Sequence, residues 1–352
     1  MNTFSEYTEN KKHSIRESAD QQYTLFPKNK SELRRMINAE IKKNGYSANL
    51  NHIDVSQIED FSKLFDYSDF CGDISKWDVS NAKNMSWMFY YAKEFNGDIS
   101  AWDVSNVTTM EGMFYGTESF NQDLSDWDVS NVTDMSHMFY ESESFNQDLS
   151  GWDVSNVTNM YRMFAWSKFN GDISTWDVRN VTNMVFMFSN SSFNSNLKRW
   201  NTKNVRNMSG MFNECAAFNQ DISRWDVSNV ENMSEMFCEC PSFNKDISSW
   251  NVSNVKDMRR MFSHAKSFNQ DISRWDVSNV EDMNWMFENC SEFNQDISGW
   301  NVSKVLNMIS MFEGAGSFNQ DLLGWNVSKV KAYHNMFKDC PCLKKYHPKF
   351  SK

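Results

Sequence analysis

The sequence predicts an α/β solenoid: one stack of repeated rungs with parallel β-strands and short helices, its first rung capped by a helix. Three observations predict it. Trp77, Trp102, Trp127, Trp152, Trp176, Trp200, Trp225, Trp250, Trp275, Trp300 and Trp325 recur at intervals of 25 residues, apart from two intervals of 24. Around each Trp the chain repeats approximately F-N-x-D-I-S-x-W-D-V-S-N-V-x-x-M-x-x-M-F. Before the first Trp, a degenerate unit keeps Ile53, Val55, Ile58, Phe61, Leu64 and Phe65 in the same columns. A fixed period of this length marks units that bury their apolar faces only by stacking on neighbours. The 352 residues therefore form one array, not the two or three domains that length alone suggests.

The elements follow in order. Residues 1–22 hold few apolar side chains and no period, so disorder is expected there. Residues 23–50 form a capping segment, in which Ser31 is placed to N-cap a helix through Glu32, Leu33, Met36, Ile37, Glu40 and Ile41 that Gly45 stops. Residues 51–340 form about twelve repeats, and 341–352 a C-terminal tail. Within a unit, Trp102 and Val104 lie two apart, as on one face of a strand. Val107, Met110, Met113 and Phe114 follow with gaps of three, three and one, the stripe of a short helix or helical turn. Of the 23 Met, 21 fall in two columns. Such a stripe can line a ligand groove, but every unit needs this filling to stack, and unbranched Met tolerates small mismatches between rungs, so it is read as core. Both short units lose their residue just before the F-N pair, which marks a loop. At the far end Met308 gives way to Tyr333 and the F-N pair to Cys342-Leu343, as in a rung degenerating into a cap.

The net charge is −11, unevenly spread. Residues 1–44 carry nine Lys/Arg and six Asp/Glu, and residues 338–352 carry five Lys and one Asp, which leaves −18 for the middle. That surface repels phosphate backbones, so nucleic acid is not expected as a partner. No run of 18 apolar residues occurs, so no membrane-spanning helix is expected.

The polar columns read first as turn chemistry. Asp103 and its equivalents Asp78, Asp128, Asp153 and Asp177 recur rung after rung. Carboxylates ~4.8 Å apart repel unless solvated, hydrogen-bonded or bridged by a cation. The Asp98 column is placed to hold turn N–H groups, and the Asn106 and Asn121 columns to form amide ladders. Cys215, Cys240, Cys290 and Cys340 share a column filled elsewhere by Ala, Ser and Thr, which reads as small, free thiols; a Cys215–Cys240 or C-terminal disulfide is the alternative. C-E-C and C-P-C lack zinc spacing, so no metal is expected. The six His fall in different units or columns, and no phosphate loop or nucleophile elbow occurs. Serines that repeat in nearly every unit mark no single catalytic site, so no enzyme and no cofactor are expected.

The unit F-N-x-D-I-S-x-W-D-V-S-N-V-T-x-M-x-x-M-F resembles the 25-residue repeat of the BspA-like leucine-rich-repeat surface proteins, also familiar from mycoplasma lipoproteins. The spacing I-x-x-W-x-V-x-N is similar to the strand segment of leucine-rich repeats. The resemblance covers residues 50–340. It implies a curved leucine-rich-repeat-like solenoid, a non-catalytic adhesion or recognition role, and a cell-surface or secreted setting. The first residues carry neither the apolar stretch of a signal peptide nor a lipid-attachment Cys, which leaves a cytoplasmic setting as the alternative.

Variation between the fixed columns marks the candidate site. Trp87, Tyr90, Tyr91, Tyr115, Tyr140, Tyr161, Trp166 and Phe186 occupy variable positions in the first half, where later rungs mostly carry Ser, Asn, Glu, Cys or Arg. Aromatic rings exposed in a row suit a protein or carbohydrate contact; packing between adjacent turns is the alternative. The expected function is an extended recognition surface for a protein partner or for adhesion, with structural self-association as the second reading.

Overall fold

The computed structural model describes residues 23–350, so the disorder expected for residues 1–22 falls outside it. Leu25 bridges Ile53 in parallel. The chain then enters helix α1, Lys30–Asn44. Its N-cap is Asn29, whose side chain accepts from the Glu32 N–H at 3.0 Å, not the expected Ser31, which lies inside the helix. Gly45, at φ +83°, ends α1. Leu33 and Ile37 are fully buried against the array. Lys30 reaches Asp60 at 3.2 Å and Arg34 pairs with Asp66, tying α1 to the first rung.

The rungs stack in parallel, but not through strands. Among the described residues, single-residue bridges link Asp60, Asn84, Thr109, Asp134, Asn159 and so on to Ala332, and α1 is accompanied only by a short 3-10 turn, Lys344–Tyr346. The strand expected at Ile99–Val104 is a pair of turns. Trp102 N–H donates to the Ile99 carbonyl and Val107 N–H to the Val104 carbonyl. Asp98 takes the Ser100 N–H at 3.0 Å, and Asp103 takes that of Ser105 at 3.1 Å. These local bonds use N–H groups that a ladder would need, the known competition of Asx turns with secondary structure.

The contacts between rungs run instead along the Met segment, which is not helical. Met110, Gly112, Phe114 and Gly116 donate N–H to the Asp134, Ser136, Met138 and Tyr140 carbonyls of the following rung, at 2.7–3.1 Å. The intervening Met113, Tyr115 and Thr117 close turns three residues back. This alternation requires left-handed residues: Gly112 and Gly116 have φ +56° and +67°, and His137 and Glu141 hold the same two places in the next rung. A helix cannot propagate through residues of that hand.

The inward columns are as the repeat predicts. The indole planes of successive Trp lie nearly parallel at 6.3–6.5 Å, as in Trp176–Trp200 and Trp225–Trp250. Each indole N–H reaches back to a buried carbonyl, Trp200 Nε1 to Ile173 O at 3.0 Å. Phe89 stacks on Phe95 of its own rung at 4.0 Å and on Phe114 of the next at 5.6 Å. Met and Phe of every full rung are buried. Polar ladders fix the register outside. Asn106 Nδ2 donates to Ser80 O at 2.7 Å, and Asn121 Oδ1 accepts the Asn146 N–H at 3.0 Å. The Asn106 ladder runs from side chain to backbone, while the Asn121 column also carries amide-on-amide bonds, Gln147 Nε2 donating to Asn121 Oδ1 at 2.9 Å. All seven Cys are free, and Cys215, Cys240 and Cys290 are buried. Burial pushes the Cys215 thiol up to about 12.

The tail closes the far end. Cys342 fills the Phe column, and the Leu343 N–H reaches Asn319 Oδ1. His347 stacks on Phe337 at 3.8 Å and Phe350 on Tyr333 at 3.9 Å.

Candidate functional site

All eight predicted aromatics lie on the Met segment, seven of them on the places two, five and six residues after the first Met, and Tyr161 on the place one residue after it. The structure joins them into one seam but exposes few of them. Trp166 is 52% exposed, Tyr140 is buried at 9%, and the other six are half-buried. The expectation of a row of exposed rings therefore fails for seven of the eight. Trp87, Tyr90, Tyr91, Tyr115 and Phe186 lean on the next rung, while Tyr140 and Tyr161 also meet Tyr115 and His137 of the rung before.

Glycine explains three of them. A Cβ on Gly112 would stand 2.2 Å from the Trp87 ring, one on Gly116 2.5 Å from Tyr91, and one on Gly210 2.1 Å from Phe186. Trp87, Tyr91 and Phe186 thus lie flat on the left-handed glycine one repeat later. The tyrosines fill the neighbouring place: Tyr90 and Tyr115 lie 5.0 Å apart and Tyr115 and Tyr140 4.4 Å. Tyr161 meets His137 edge-on at 4.9 Å.

Polarity within the seam is shared among few groups. The Tyr91 hydroxyl donates to Glu141 Oε2 at 2.9 Å. The hydrogen bond to Tyr67, then burial, push the Tyr90 hydroxyl up to about 12. Burial, then Tyr91, raises Tyr115, and burial, then Glu141, raises Tyr140. Burial, then the nearby Arg162 charge, hold His137 down to about 4, and its buried Nδ1 has no hydrogen-bond partner.

The tyrosine column stops after Tyr140, where the next two rungs place Ala165 and Ser189. The missing rings leave a cleft of about 180 Å³ lined by Tyr140, Arg162, Ala165, Trp166, Phe186, Ser189, Asn213 and Glu214. The Arg162 guanidinium lies over Tyr161 and Phe186, 5.2 Å from each ring centre. Asn190 donates to Glu214 at 2.6 Å on the far wall. An exposed indole and a stacked guanidinium thus line one cleft.

Two members escape a reading of the sequence. Tyr67, 70% exposed, belongs to the degenerate first unit, yet it stacks on Tyr91 at 5.6 Å and extends the seam. Arg162 is not aromatic, although its place between Tyr161 and Phe186 is readable from the repeat columns. The Asp103 and Asp98 columns are occupied by turn bonds to Ser105 and Ser100. Among the described residues no group of three or more His, Cys, Asp or Glu is arranged to hold a metal ion, and no helix is long and apolar enough to cross a membrane.

Comparison with known proteins bears on the repeat. No curated protein matches the chain. Among solved structures, it is similar to a leucine rich cell surface protein from Faecalibacterium prausnitzii A2-165, at 13% identity and a TM-score of 0.37, over 71% of this chain and 75% of that one. It is also similar to a leucine-rich repeat protein from Bacteroides ovatus ATCC 8483, at 10% identity and a TM-score of 0.33, over 79% and 85%. Both are loose superpositions. The family described as "Mycoplasma protein of unknown function, DUF285" matches residues 31–149, 99–194, 123–216, 165–271 and 242–350, overlapping spans that run through α1, the rungs and the tail. The chain belongs to that repeat family, in keeping with the BspA-like pattern of its units.

Proposed function

We propose that the chain is a non-catalytic recognition module that docks a protein partner on the aromatic seam, with its anchor at the cleft around Trp166 and Arg162. One observation carries this reading. The places that hold Tyr90, Tyr115 and Tyr140 hold Ser189, Asn213, Cys238 and Ser263 in later rungs, which keep the same bridges. The rings therefore exceed what the backbone requires. Interfaces concentrate their energy in Trp, Tyr and Arg near the patch centre, and the cleft gathers all three. The repeated Ser and Asp are taken up by turns, which supports a binding role over hydrolysis. Adhesion at a cell surface is the setting this reading favours, supported by the repeat's resemblance.

The anchor differs from the centre that sequence alone suggests, near Tyr115, Tyr140 and Tyr161. Tyr140 lies beneath its neighbours, whereas Trp166 has half its surface free. The test is capture of partners from bacterial and host lysates by the full chain and by the Trp166→Ala, Arg162→Ala variant. The expected result is an unchanged fold by circular dichroism and at least about tenfold weaker capture, as for loss of hot-spot side chains. Full capture by the folded variant refutes the assignment. Loss of concentration-dependent sedimentation in the same variant favours self-association instead.

A further inference from the structure

The end of the solenoid carries a second surface, chemically unlike the seam. Leu323 and Leu343 are 46% and 47% exposed there, and Tyr333 is exposed as well. The tail crosses the last rung beside them. Leu322 N–H donates to Tyr346 O at 2.9 Å, and Leu343 N–H to Asn319 Oδ1 at 3.3 Å, so the tail that carries Leu343 runs alongside the turn that carries Leu323. Lys344, Lys345 and Lys349 are exposed on the same tail, with Lys345 Nζ 4.7 Å from the Tyr346 ring centre. Residues 338–352 carry five Lys against one Asp in a chain of net charge −11.

We propose that this face docks on the headgroup layer of an anionic lipid bilayer, with the solenoid standing end-on. Charge complementarity and the apolar side chains select the occupant together. The flank of a second copy offers Asp, Ser and Asn columns that would satisfy the lysines and leave the leucines in contact with polar groups. The same end of a second copy would set lysine against lysine, and the opposite end presents Arg35, Lys42 and Lys43 of α1. Nucleic acid would likewise leave the leucines unused. A bilayer interface accepts both kinds of group, phosphate for the ammonium ions and the acyl boundary for Leu and Tyr. Asp321 and Asp339 stand at the same end, but acidic side chains two or more rungs back lie beyond a Debye length of about 8 Å, so their repulsion is screened.

The experiment is co-sedimentation of the full chain with vesicles of phosphatidylcholine, alone or mixed with phosphatidylglycerol. Binding to the mixed vesicles and not to phosphatidylcholine alone is expected, falling steeply as salt rises. Lys344→Glu with Lys345→Glu and Lys349→Glu should weaken it at least about tenfold. Leu323→Ser with Leu343→Ser should weaken it several-fold without changing the salt dependence. Lys168→Glu with Lys203→Glu and Lys266→Glu makes the same charge change on the flank and should retain most of the binding. Thermal melts check that each variant folds. Failure of the unaltered chain to bind phosphatidylglycerol vesicles overturns the proposal, as does an equal loss in the flank variant. Tail lysines that govern sedimentation of the free protein while vesicles are ignored also overturn it, in favour of a second copy. None of these outcomes depends on the partner of the seam.

Discussion

The two halves of the Met segment share a backbone and differ in what they place on it. From Tyr67 to Phe186 the outward places hold stacked rings, with His137 and Arg162 among them. From Asn213 onward they hold mostly Asn, Glu, Ser, Cys, Arg and Lys, with Trp285 under the Arg260 guanidinium as the exception, and Lys338–Glu313 at 2.5 Å links successive rungs. Both halves keep the parallel bridges and the two left-handed residues per rung. The inner columns therefore specify the fold, and the outer places are free to vary. What is placed there without need is the strongest pointer to a use.

That comparison can be broken at the core, where the halves must be equal. Trp152→Ala and Trp250→Ala should each cost about 3–5 kcal/mol in urea unfolding, through the cavity left between two rungs. A gap between them larger than the measurement error would show that the core is not uniform. On the outer places the halves should diverge. Tyr140→Ser should cost about 2 kcal/mol, since a stacked ring is lost, while Asn213→Ser in the same column should stay within about 0.5 kcal/mol. Equal effects would mean that the seam does not stabilise its half. Gly112→Ala should cost about 2 kcal/mol, because the left-handed φ and the Trp87 ring both oppose a methyl group. Gly314→Ala meets only the flexible Asn289 amide at 2.2 Å and should cost about half that.

A pH titration sharpens the contrast further. His137 is held neutral, with its folded value lowered to about 4 from 6.5. The unfolded chain takes up the proton first as pH falls, so the contribution is fully present above about pH 6.5 and is lost as pH falls through about 4. The loss should be on the order of 2 kcal/mol, and His137→Gln should flatten it. Melting curves at pH 7 and pH 4.5 for both proteins measure the difference; identical slopes would remove His137 from the account. The smallest effect belongs to Trp166→Ala, whose stability should change by no more than about 0.5 kcal/mol. A large loss there would reclassify the cleft as packing.

Much of this architecture was legible in the residues. The Trp, Met and Phe columns announced their own burial, because a side chain repeated in every unit serves what every unit shares. The form of the rung was not legible. Trp102 and Val104 have strand spacing, yet the Asp98-x-Ser100 and Asp103-x-Ser105 turns claim the N–H groups that a strand would pair. The left-handed places are filled by Trp87, His137, Arg162 and Glu235 as readily as by glycine, so composition does not mark them. The seam was found, but its exposure was overread. A correcting signal existed: Gly112, Gly116 and Gly210 each follow Trp87, Tyr91 and Phe186 by one repeat. A glycine one repeat after a ring says that the ring lies on it.

The one-way donation along the Met segment has a consequence for the object as a whole. Met110, Gly112, Phe114 and Gly116 all give their N–H groups to the rung that follows, and their counterparts do so at each later interface. Peptide dipoles that point one way add, as they do along a helix, but here the sum runs across the chain direction and along the stack. The Met segment is thus a polar ladder, with an acceptor end at α1 and a donor end at the tail, opposed in part by N–H groups elsewhere in the rung that point back, such as Thr133 to Thr108 O and Asn146 to Asn121 Oδ1. Lys30 and Arg34 stand at the acceptor end, where cations are favoured. Whole rungs can be added or removed in the middle without disturbing that polarity, whereas no rung can be turned around within it.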